Sequence, residues 1–66
     1  MIKVGDWVVT TRDIEDNTGR QIYALQGTHA KVYRVEYKNN KVDIESYIIK
    51  TESGKILRVH HSEIAE

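Results

Sequence analysis

Gly27-Thr28-His29-Ala30-Lys31-Val32-Tyr33-Arg34-Val35 reads G-x-x-A-x-V-x-x-V and follows a polar, acidic stretch. Glycine admits the tight backbone turn that leads into a strand. Ala30 and Val32, two positions apart, put two apolar side chains on one face of that strand. The next valine is Val35, one position later than strict alternation requires. That slip predicts a β-bulge at Tyr33 and Arg34, with both side chains projecting outward. The stretch therefore reads as a bent strand with one buried face.

The rest of the chain repeats this grammar. Gly5-Asp6 opens an apolar run from Trp7 to Thr11, and Asp16-Asn17-Thr18-Gly19 signals a turn. The bulged run extends from Ala30 to Tyr37. Lys38-Asn39-Asn40-Lys41 suits a hairpin turn, because asparagine tolerates left-handed backbone. A third run covers Val42 to Thr51, Glu52-Ser53-Gly54-Lys55 makes a second hairpin turn, and Ile56 to His60 is a fourth strand. Ser62-Glu63-Ile64 suits either one helical turn or a last short strand. In the third run Val42 and Ile44 alternate with Asp43 and Glu45, but Ile48 and Ile49 are adjacent. A strand that bends from one sheet to another accounts for this; burial on both faces near its end is the simpler alternative. No window keeps the three- and four-residue apolar spacing of a helix, and Val, Ile, Thr and Tyr dominate the runs. Four or five short strands in so small a chain predict a closed or partly closed barrel.

Size and charge bound the function. A chain of 66 residues is one domain, and such a chain buries only about 60% of its unfolded surface. It has no cysteine and no proline, so no disulfide staples the fold. A cysteine-free chain with neither an apolar run near the roughly 20 residues of a membrane helix nor a leading apolar signal segment reads by default as cytoplasmic. Ten basic and ten acidic residues cancel, which argues against a strongly nucleic-acid-directed charge. Locally, Asp13, Glu15 and Asp16 cluster early, whereas Lys31, Arg34, Lys38 and Lys41 cluster later.

Three pieces of the chain resemble the SH3-like barrels of bacteria, and the KOW domain in particular. Val4-Gly5-Asp6-Trp7-Val8 resembles their V-G-D-x-V opening, Gly27 to Val35 resembles the KOW core with Ala30 at a common glycine position, and Glu63-Ile64 resembles the closing element. A more distant likeness, through the same V-G-D-x-V opening, Leu25-Gln26-Gly27 and a histidine before the closing acid, is to the small SH3-like accessory subunits of photosynthetic and redox complexes. The resemblance implies a five-stranded barrel with a long first loop at about Arg12 to Gln26. It implies RNA, ribosomal or polymerase binding if KOW-like, and protein binding if accessory-like. The neutral charge departs from a typical RNA-binding KOW domain.

Candidate functional residues follow. If Val8 and Thr10 point inward, Trp7 points outward, where an indole anchors a partner; the competing reading places Trp7 under the long loop as core. Tyr23, Tyr33 and Arg34 join Trp7 as candidates for a protein-binding groove between the long loop and the second hairpin. Under the nucleic-acid alternative, Lys31, Arg34, Lys38, Lys41 and Arg58 contact phosphate and Tyr33 stacks on a base. Ordinary cross-strand packing with solvated charges competes with that assignment. Neighbouring strand residues face opposite ways, so His60 and His61 make a poor metal pair, and His29 stands alone. No metal or cofactor is expected. No phosphate loop, H-E-x-x-H or nucleophile motif is present, so the chain reads as non-catalytic. The oligomeric state is left open. The leading expectation is a non-catalytic accessory or regulatory module that binds a protein surface.

Overall fold

The computed structural model describes residues 2–16, 18–39 and 42–66. Among them lie β1 (Trp7–Thr10), β2 (Ile14–Glu15), β3 (Ile22–Ala24), β4 (His29–Tyr37), β5 (Ile44–Thr51), β6 (Ile56–Val59) and β7 (Ile64–Ala65), with one 3-10 turn at His61–Glu63. The chain is all-β. No helix among the described residues is long and apolar enough to cross a membrane.

Five strands form one antiparallel sheet in the order β6-β5-β4-β1-β7, and β2 pairs with β3 in a ladder of its own. No ladder among the described residues joins β6 to β7. The sheet is thus open along two edges, so of the closed or partly closed barrel expected, full closure by a ladder is absent among the described residues. The long first loop is not without strands, for it carries the β2–β3 hairpin. Those strands are too short to show an alternation in the sequence.

One apolar face makes the core. Val8, Ala30, Val32, Tyr47, Ile49, Leu57, Val59 and Ile64 are buried together, and Ile14 and Ala24 of the hairpin cover them. Each large aliphatic side chain so buried contributes about 1.5–3 kcal/mol. Ala30 is fully buried opposite both Val8 and Thr51, which leaves room for only a small side chain.

Thr10 ties the turn before β4 to β1. Its hydroxyl donates to the Leu25 carbonyl at 2.9 Å and accepts from the Thr28 N–H at 3.0 Å. Gly27 donates its N–H to the Thr10 carbonyl at 2.8 Å, with φ of 88°, a left-handed conformation that glycine adopts without strain. At the other end, Thr11 donates its N–H to the Glu63 carbonyl and its hydroxyl to the Ser62 carbonyl, which pins the 3-10 turn to β1.

The predicted bulge is present. Val32 opposes Ile49 and Arg34 opposes Ile48, so Tyr33 is the extra residue in β4. The expected bend of the third run is not. In β5, Tyr47, Ile49 and Thr51 face inward while Ser46, Ile48 and Lys50 take the other face, as alternation requires. Ile48 is buried yet lies outside the core cluster. Burial on both faces, not a change of sheet, explains the adjacent isoleucines. The first hairpin closes through the Lys38 N–H donating to the Asp43 carbonyl; Asn40 and Lys41 of the expected turn lie outside the described residues.

Candidate functional site

The N-terminal turn sets the direction of Trp7. The Asp6 carboxylate accepts the Lys3 N–H at 2.9 Å, and the Asp6 N–H donates to the Lys3 carbonyl at 3.0 Å. Gly5 donates to the Val32 carbonyl, and Val32 donates to the Asp6 carbonyl, so the turn is laced to β4 beside the bulge. Val8 and Thr10 then point into the core, and Trp7 is turned outward. It is 55% exposed, which removes the reading of Trp7 as core beneath the loop.

Tyr33 stands near it. Being the bulge residue, it is thrown onto the outer face and is 60% exposed. Val4, Gly5, Trp7, Val32 and Tyr33 line one groove of about 520 Å³, and Lys31, Lys50, Thr51 and Glu52 complete its walls. Directly opposed strand residues share a face. Trp7 opposes Lys31 and Lys31 opposes Lys50, so an indole and two ammonium groups stand in one row across three strands. Neither lysine has an ion-pair partner among the described residues.

Arg34 and Arg58 belong to a different arrangement. Their guanidinium groups lie 3.3 Å and 3.0 Å from the two carboxylate oxygens of Glu36, and Ser46 donates its hydroxyl to the same carboxylate. Arg34 and Arg58 oppose Ile48 from either side. To reach Glu36 on β4, Arg58 on β6 crosses the face of β5 that carries Ile48. Both arginines have a structural task that the sequence reading did not assign. Lys38 is exposed beyond the end of β4, and Lys41 lies outside the described residues.

Tyr23 lies elsewhere. It lines a second groove, of about 630 Å³, with Ile14, Glu15, Asp16 and Gln21 on one wall and Lys55 to Arg58 on the other. The Lys55 ammonium donates to the Tyr23 carbonyl at 2.8 Å, linking the second hairpin to β3. A groove between the long loop and the second hairpin therefore exists, but Trp7 and Tyr33 do not line it. The expected three-aromatic anchor divides into two sites. Val4, Lys50 and Glu52 join the Trp7 groove without having been singled out. Val4 is placed by the N-terminal turn that Gly5 ties to Val32, and Lys50 by its pairing with Lys31 across the β4–β5 ladder.

Two loop acids turn out to be structural. The Asp16 carboxylate accepts from the Thr18 hydroxyl and from the Thr18 and Arg20 N–H groups. The Thr18 hydroxyl bond, aided by backbone N–H groups, holds its carboxyl below the ordinary carboxylate value. Asp13 accepts the Gln26 N–H at 2.7 Å. His60 keeps extended backbone, and His61 leaves it as the first residue of the 3-10 turn. The chain turns after His60, and the two rings lie 4.2 Å apart. His60 Nδ1 accepts from the Ser62 N–H, while Glu63 accepts the His60 N–H at 2.8 Å, so these residues cap the 3-10 turn. Among the described residues no group of three or more His, Cys, Asp or Glu is placed to hold a metal ion. Comparison with protein families, characterised proteins and solved structures finds no match to this chain.

Proposed function

We propose that this chain is a non-catalytic binding module, an accessory or regulatory component, that engages a protein surface through the Trp7–Tyr33 groove. One observation carries the reading: both aromatics are more than half exposed and line the same groove. Leaving two large rings in water forgoes burial that a small core needs, whereas a partner recovers it. We further read the fold as a partly open SH3-like barrel. The bulged β4 and the 3-10 turn before β7 support that reading, as does the β2–β3 hairpin covering one end of the core.

The module reading is tested by capture with immobilised wild-type protein and Trp7→Ala, assaying protein and nucleic acid separately. A protein retained by the wild type and lost with Trp7→Ala, whose addition shifts the Trp7 emission to the blue, is the expected result. Retention of nucleic acid with no protein overturns it. The opposed Lys31 and Lys50 beside Tyr33 favour the second reading, a KOW-like nucleic-acid module, whose binding must weaken steeply as salt rises.

A further inference from the structure

We infer that the Trp7–Tyr33 groove takes an acidic peptide segment, one apolar anchor side chain flanked by carboxylates. The inference rests on the protein-binding reading of the same groove. Lys31 and Lys50 face each other directly across the β4–β5 ladder. Like charges so placed destabilise a sheet, and folding alone gives no reason to set them there. Neither lysine is neutralised by an ion pair among the described residues. An arriving carboxylate relieves that repulsion and gains both ammonium groups at once.

The remainder of the groove chooses the ligand class. Its floor and far wall are Val4, Trp7, Val32 and Tyr33, which suit an apolar side chain. Glu52 also lines the groove, whereas Arg34 and Arg58 lie outside it and are held by Glu36. Two cations without an ion-pair partner among the described residues match one or two carboxylates. They make a short and interrupted track for a polyphosphate backbone, whose affinity comes from many neutralised charges in series. An extended peptide with alternating apolar and acidic residues presents both chemistries at strand spacing.

Selection of random dodecapeptides displayed on phage against the immobilised wild-type domain tests this. Enrichment of sequences combining an aromatic or aliphatic residue with aspartate or glutamate is expected. The enriched synthetic peptide should shift amide signals of Val4, Trp7, Lys31, Tyr33 and Lys50 in heteronuclear NMR spectra. Trp7→Ala should weaken it roughly 30-fold or more, as truncation of a central anchor does. Lys50→Glu should weaken it about tenfold and reduce the salt dependence. Both positions are exposed, and unchanged amide dispersion shows that each variant is folded. Enriched peptides without acidic bias, bound through Trp7 and indifferent to Lys50→Glu, overturn the acidic preference and leave the protein-binding reading intact. No enrichment, or oligo-uridylate displacing any selected peptide and itself losing affinity with Lys50→Glu, overturns both.

Discussion

Asp16 shows how much a single side chain does in a loop with few apolar contacts. Its carboxylate gathers the Thr18 hydroxyl and two N–H groups, closing the turn that joins β2 to β3. Because these donors hold its pKa below the ordinary 3.8, the ionised form favours the folded state. That contribution is complete above the unfolded value and is lost as pH falls through the folded one. Urea midpoints of wild type and Asp16→Ala should therefore differ at neutral pH and converge as pH is lowered below about 3.8. A gap that persists unchanged into acid would contradict the assignment. The cluster of loop acids was visible in the sequence, but the donors that Asp16 serves were not. A turn signal specifies a reversal, not which carboxylate closes it.

Among the elements, β1 and β4 carry the most information. Thr10 looks from the sequence like any inward strand position, yet it is a buried hydroxyl that makes two of the bonds holding the Leu25–Thr28 turn. Thr10→Val keeps the shape and removes both bonds. It should cost about 1–3 kcal/mol in chemical denaturation, with Thr10→Ser recovering part of the loss. An unchanged midpoint in Thr10→Val would remove that role. The bulge in β4 was legible because the distance from Val32 to Val35 breaks a two-residue period, and periodicity is a local property. The burial of Ile48 was not legible. Ile48 lies between Arg34 and Arg58, whose shared partner Glu36 links strands that are not neighbours in the sheet, and no local spacing announces that.

For the molecule as a whole, stability is graded across the sheet. β4 and β5 are long and paired on both sides, whereas β2, β3 and β7 are short and at margins. Hydrogen exchange should accordingly be slowest at Val32 and Ile49 and fast in Glu15 and Tyr23. Uniform protection would show that the hairpin and sheet open as one unit. Charge is graded too. The formal net charge is zero, but Lys31 and Lys50 stand together on the outer face while Asp13, Glu15 and Asp16 lie around the hairpin. Local composition and two-residue periodicity, both readable along the chain, determined the longer strands, the bulge and the all-β class, and left Trp7 open between an outward anchor and a core residue. Only the tertiary structure decided which outward residues meet. Lys31 faces Lys50, Trp7 shares its groove with Tyr33 and not with Tyr23, and Glu36 gathers two arginines. Those pairings are set by inter-strand register and by side chains crossing a strand, and neither leaves a trace in one-dimensional spacing.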